Sequence, residues 1–174
     1  MTTLRTDRLI LRQWRDDDLD EWAAINADPV IREFLGGPLT REQSRASMER
    51  FRTAIEERGW GWWAVEVAAT GTLAGLAGLD PVDAGKPIGG VEIGWRLGRS
   101  SWGHGYATEA ARACLSYGFD VLGRPEIVAI SAAANTRSHA VMTRLGMVRD
   151  PSLDFVDGGL PSYVHRLSAS IPAR

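Results

Sequence analysis

The sequence predicts a mixed α/β sheet with helices on both faces. Three observations carry this. Strand-like and helix-like segments follow one another in the order β α α β β β α β α β β. The stretch from 90 to 131 reads strand–helix–strand, a crossover unit that sets two strands parallel. Short turns elsewhere join neighbouring strands antiparallel, which makes the sheet mixed. With 174 residues, 44% hydrophobic and 24% charged, the chain is long enough for one domain, 1–174, with a buried core.

The elements follow in order. Leu9 to Trp14 reads as the first strand. Asp16-Asp17-Asp18 opens a helix, with acids in the first turn where the helix dipole favours them. Leu19, Trp22 and Ala23 share a face, and Asp28-Pro29 ends the helix. Thr40 caps a second helix with Gln43 as its capping-box partner, and Met48, Phe51 and Ile55 form the buried stripe. Trp62 to Val67 and Leu73 to Leu79 form a hairpin around a Thr-Gly turn. Gly90 to Leu97 alternates as a half-buried strand does. Ala107, Ala110, Ala111, Cys114, Leu115 and Gly118 give the next helix a flat, small face suited to lying on a sheet. Ile127 to Ile130 is a short buried strand. Asn135 to Leu145 is a helix stopped by Gly146. Met147 to Arg149 and Tyr163 to Leu167 close the sheet.

Composition excludes several classes. No run of 18 apolar residues exists, so no membrane span or membrane partner is expected. The first residues lack an apolar export segment, and a lone cysteine, Cys114, allows no internal disulfide; together these predict a cytoplasmic protein. A net charge of −2 predicts no nucleic-acid partner. Three scattered histidines have no metal-ligand spacing, so no metal is expected. Among 20 basic residues only Lys86 is lysine, and its loop is not a Walker-type phosphate loop.

The chemistry-bearing stretch is Trp102-Gly103-His104-Gly105-Tyr106-Ala107, between a strand and a helix. Glycines let a ligand approach the backbone, and the first N–H groups of a helix have no internal partner. Together they form a pyrophosphate cradle that needs no lysine. Alone, the same turn also serves close helix–sheet packing. A dinucleotide-binding Rossmann site does not fit: Thr108 stands at the last small position, and Glu126 precedes its strand instead of ending it. Further on, Asn135 opens a helix as its N-cap, followed by Ser138 and by Leu145-Gly146-Met147.

Val91 to Leu97, Trp102 to Ala110, and Asn135 to Met147 together resemble the GCN5-related N-acetyltransferase (GNAT) superfamily. The opening Thr6 to Arg12, the Phe34 to Thr40 run and the closing Tyr163 to Leu167 are similar to its ribosomal-protein N-terminal acetyltransferase branch, the RimJ/RimL-like proteins. The resemblance implies a mostly antiparallel sheet of six to seven strands, with a splayed parallel pair at the fourth and fifth. It implies acetyl-CoA in the splay, with its pyrophosphate at Trp102, Gly103, His104, Gly105, Tyr106 and Ala107. Trp102 departs from the Gln or Arg usual at that position. Trp95 and Leu97 match positions whose backbone holds the pantetheine arm and acetyl carbonyl, and Asn135 and Ser138 match the thiol side. The implied activity is acetyl transfer by direct attack in a ternary complex. The implied acceptor is a protein N-terminal α-amine. A small-molecule amine such as an aminoglycoside or polyamine, or a non-catalytic CoA-binding module, are the alternatives. Family habit adds a homodimer.

Chemistry narrows the roles. An α-amine of pKa near 8 is already roughly 10% neutral at pH 7, whereas a lysine-type amine is only about 0.04% neutral. Glu92 is the candidate base, directly or through water, with Gly94 leaving room beside it. Many superfamily members use a Tyr as proton donor to the thiolate. Met142 stands there in this chain, which leaves Ser138, Tyr106 or water. His104 lies in the phosphate loop and His139 on a helix surface, both away from the acyl centre. Trp62 and Trp63 point to opposite faces of their strand, one to the core and the other available to wall the acceptor site, as does the loop Phe34 to Pro38.

Overall fold

Mostly apolar runs buried on both faces in Trp62–Val67 (β3) and Leu73–Pro81 (β4), and the alternating Val91–Leu97 (β5), build the antiparallel centre of the sheet. In the computed structural model, which describes residues 2–169, the remaining strands are Leu4–Arg5 (β1), Leu9–Arg12 (β2), Glu126–Ala132 (β6), Val148–Arg149 (β7), Phe155–Asp157 (β8) and Leu160–Ser168 (β9). They lie in the order β1-β2-β3-β4-β5-β6-β9-β7, with β8 paired to β9. Only β5 and β6 run parallel. The helices are Leu19–Ala27 (α1), Arg41–Arg58 (α2), Tyr106–Ser116 (α3) and Thr136–Arg144 (α4).

The mixed sheet and its crossover stand as expected, but the described residues hold nine strands where six to seven were expected. The additions are β1, which is two residues long, and β8, three residues long, which turns at Gly158-Gly159 to pair with the expected closing strand β9. Both are edge pieces too short to show a hydrophobic period. The first helix begins later than expected, after a 3-10 turn at Asp16–Asp18. Asp18 is no cap for α1: its carboxylate is buried, accepting from the Arg15 N–H at 2.7 Å and from Arg12. Thr40 and Gln43 do form the capping box that starts α2.

Cross-strand register separates the two faces. Trp62, Gly78 and Gly94 are partners on one face, and Trp63, Ala77 and Trp95 on the other. The second face takes α3. Trp63 is fully buried there, edge-on to Tyr117, and a Cβ on Gly118 would stand 2.5 Å from the Ile127 side chain. Gly118 follows directly on α3, whose own small residues Ala110, Ala111 and Cys114 are fully buried, so a flat helix face brings backbone close to the sheet. The first face takes α1 and α2, where Trp14, Trp22 and Phe51 cluster with ring centroids 5.0–6.2 Å apart. No helix among the described residues is long and apolar enough to cross a membrane.

Candidate active site

Strands β5 and β6 meet at one register position, Glu92 with Val128, and then diverge. Gly98 donates to Ala74 on the β4 side at 2.9 Å. Backbone groups alternate direction along an antiparallel pair. The N–H and C=O groups of Trp95 and Leu97 therefore face away from β4, into the gap. The ladder to β6 no longer claims them. An extended chain lying in the gap would meet the Trp95 N–H and C=O and the Leu97 N–H free, while the Leu97 carbonyl accepts from the Trp102 indole.

The gap leads to the glycine loop. Gly103 and Gly105 have φ of 78° and 80°, a conformation that side chains resist. A Cβ on Gly103 would meet nothing within 4 Å, so this side of the turn is open. Gly105 is the N-cap of α3 and offers no side chain to its first N–H groups. These donors, with the helix dipole behind them, suit a pyrophosphate. Trp102 fastens the loop to the end of β5, its indole N–H donating to the Leu97 carbonyl at 2.9 Å. The Arg137 guanidinium lies 4.5 Å from the centre of its ring. Arg8 stands beside Gly105 and over Tyr106, and is tied to Glu109 through Nε at 2.7 Å.

Asn135 caps α4, its Oδ1 accepting from the Ser138 N–H at 3.2 Å. The Ser138 side chain makes no hydrogen bond among the described residues and lines the cleft. Met142 is buried. Glu92 lies on the α1/α2 face, with the Lys86 ammonium 3.4 Å from it and 3.8 Å from Asp157. Burial pushes the Glu92 carboxyl above the usual glutamate range, and Lys86 pulls it partly back. The Trp62 indole donates to Asp80 at 3.1 Å, and its ring covers Gly94, where a Cβ would stand 3.0 Å from it. Further along the same face is Arg96, which donates to Asn26 Oδ1 at 2.8 Å. Burial, and then the nearby Arg32, push the Arg96 guanidinium down to about 10.

One cleft of about 1530 Å³ joins these parts. It brings together Glu92, Trp95, Leu97, Trp102, Gly103, Gly105, Tyr106, Ala107, Asn135 and Ser138, along with Phe34, Leu35 and Trp62 of the expected acceptor wall. His104 is the exception. Between two left-handed glycines its side chain turns outward, stacked on Tyr106 at 5.3 Å, and it does not line the cleft. The room expected beside Gly94 is filled by the Trp62 ring. His139 is half-buried instead of on the surface, with Nε2 3.0 Å from the Ala132 carbonyl and its ring 5.2 Å from His165. Sequence reasoning alone misses Arg8, Asp157, Arg96 and the part played by Lys86, because each depends on a partner distant in the chain. No group of three His, Cys, Asp or Glu side chains among the described residues could hold a metal ion.

A splayed parallel pair, a glycine loop ahead of a helix and a carboxylate on the first strand of that pair are the parts of an acyl-CoA-dependent transferase. The family model described as the acetyltransferase (GNAT) domain matches residues 8–148. The chain is 31% identical over 157 residues to the uncharacterised N-acetyltransferase p20 of Bacillus licheniformis, covering 86% of this chain and 87% of that protein. Its fold superposes on an acetyltransferase from Agrobacterium tumefaciens strain C58 with a TM-score of 0.83 and 28% identity, over 97% of this chain and 95% of the other. RimL, a ribosomal L7/L12 alpha-N-protein acetyltransferase solved with coenzyme A, shares the fold, with a TM-score of 0.77 over 96% and 98% of the two chains at 14% identity. The chain therefore belongs to the GNAT acetyltransferase family. It is an acyltransferase of the kind that acetylates amines from acetyl-CoA.

Proposed function

We propose that the chain moves the acetyl group of acetyl-CoA directly to a primary amine within a ternary complex, and that the acceptor is an α-amine at a polypeptide N-terminus. The observation that carries the reading is the joining of the open β5 edge, the α3 N-terminus and Glu92 in one cleft. In this reading the α3 N–H groups, with Arg8 nearby, hold the phosphates. The pantetheine arm runs along Leu97 and Trp95. A freed N–H at that edge donates to the acetyl oxygen as charge develops on it; such a preorganised donor contributes a few kcal/mol, on the order of 3.

The amine nitrogen bonds to the carbonyl carbon, the C–S bond breaks, and the nitrogen gives up a proton. Glu92 takes that proton, directly or through water. Lys86 holds the carboxylate ionised and ready, and burial strengthens it as a base. Ser138 offers its hydroxyl to the leaving sulfur. A thiol of pKa near 8.5 needs only a modest donor, so Met142 in place of a phenol is tolerable. An α-amine suits the site, because it asks little of a base already paired with an ammonium. RimL, which acts on a protein α-amine, shares this fold.

Thermal unfolding with acetyl-CoA, beside NADH as control, tests the cofactor. A ligand at 100 times its Kd adds about 2.7 kcal/mol, a rise of roughly 5–10 °C for a chain of this size. Release of free thiol in the presence of peptides with free and with blocked N-termini then tests the acceptor. Turnover confined to polyamines or aminoglycosides would move the acceptor to small molecules. No rise in melting temperature with folded protein would remove the cofactor assignment.

A further inference from the structure

Arg96 has no counter-charge among the described residues. It lies on β5 on the same face as Glu92 and lines the cleft. Its Nη1 donates to a neutral partner, Asn26, and its Nε is shut off from solvent without any hydrogen-bond acceptor. The Trp22 ring lies 5.3 Å from the guanidinium. Among the described residues no carboxylate lies within ion-pair distance of it. The charged neighbour is also a cation. Arg32 is buried and donates through Nε and Nη2 to the Gly37 and Leu35 carbonyls. An uncompensated buried charge is costly, and chains seldom keep one unless a partner arrives. Four residues back along β5 on the same face stands Glu92, which shares a single lysine with Asp157. Along this face of the cleft the charge therefore changes sign, from the Glu92 carboxylate to the Arg96 guanidinium.

We infer that the acceptor is an amine that also carries a carboxylate, and that Arg96, held by Asn26 and backed by Arg32, recognises that carboxylate. The inference rests on the acetyltransferase reading of the same cleft. It adds the charge of the substrate: an N-terminus with a carboxylate close to its α-amine, for which free amino acids are the smallest probes. Arg96 stays charged when the site is empty, since even pushed down to about 10 it is protonated at neutral pH.

The test is acetyl transfer to matched pairs that differ in one charge. Glycine, β-alanine, γ-aminobutyrate and L-glutamate are run against their amides. Peptides with Glu at the first two positions are run against the same peptides with Gln. O-phosphoethanolamine against ethanolamine asks whether phosphate serves instead. The expected result is that kcat/KM favours the carboxylate member of at least one pair by about 10- to 100-fold, the size of a lost charge-assisted hydrogen bond. Arg96→Gln should collapse that ratio towards one, and Arg96→Lys should restore part of it. Asn26→Asp provides a variant that keeps the arginine but supplies an internal carboxylate. It should raise KM for the acid while leaving the acetyl-CoA-induced rise in melting temperature in place. If amides are acetylated as well as acids, the inference falls and the acetyltransferase reading stands. It falls equally if no carboxylate-bearing probe turns over or binds to the CoA-loaded protein, or if phosphate alone is preferred. If acetyl-CoA itself fails to bind, the underlying reading falls.

Discussion

Two buried arginines of this chain live in opposite surroundings. Arg12 is enclosed by acids: Nη1 and Nη2 each meet an oxygen of Asp18 at 2.8 Å, and Nε meets Glu66 at 2.6 Å. Arg96 has one neutral amide, one further cation in Arg32, and an indole ring. The first arrangement is a closed structural joint between the start of α1 and strands β2 and β3. The second is half of an interaction. The contrast shows that burial of a charge does not by itself tell function from structure. What tells them apart is whether the chain supplies the partner.

Breaking the closed joint should have the largest effect. Arg12→Ala leaves Asp18 buried without a cation and Glu66 with only the exposed Arg15, and should destabilise the fold by about 3–5 kcal/mol, measured by urea denaturation. Arg96→Met removes a charge that nothing balances. Its unfolding free energy should stay within about 1 kcal/mol of the parent, and a loss as large as that of Arg12→Ala would erase the contrast.

Next in size is the chemistry at the other end of the cleft. Glu92→Gln should lower kcat/KM by about 100-fold, the lower end of what a general base contributes. The pH profile checks the sign. Glu92 must be ionised to take a proton, so activity should rise with pH through its folded pKa. Burial raises that value, so the midpoint should lie above the usual glutamate range, and the limb should vanish in the variant. Trp102→Ala should act on the cofactor side. Losing its hydrogen bond to Leu97 should loosen the glycine loop and raise KM for acetyl-CoA by roughly 5- to 10-fold, the equivalent of about 1 kcal/mol, with the acceptor KM little changed.

The smallest expected effect is a stability change with pH at Glu109. Burial opposes its ionisation, but hydrogen bonds from Thr6 and Arg8 outweigh this and hold the carboxyl below the usual range. A depressed folded value means stability that is present above the unfolded pKa and lost as pH falls through the folded one. Melting temperature should therefore fall on the acid side less steeply in Glu109→Gln than in the parent. Equal slopes would show that the tie between Arg8 and α3 contributes nothing.

Much of the fold is legible locally. Thr40 with Gln43, Asn135 with Ser138, and the alternation that separates Trp62 from Trp63 are all contained in a few consecutive residues. The β8–β9 hairpin is less so. Asp157-Gly158 followed by Gly159 is a turn signature, but the strand before it is only three residues long and shows no period to go with the turn. Asp18 misleads for a different reason: an acid at a helix start is an ordinary dipole partner, and only the approach of Arg12 makes it a buried ion.

By itself the sequence determined the order of the elements, the parallel crossover, the glycine loop ahead of α3 and the carboxylate at 92, because each depends on spacing along the chain. The tertiary structure decided which groups lack partners. Arg96 meets Asn26 across 70 positions and Arg8 meets Glu109 across 101. Asp157 reaches Lys86 only because β9 returns beside β6. Periodicity reports which face a side chain takes. Whether another charge waits there depends on how distant segments pack, and that governs the electrostatics of the cleft.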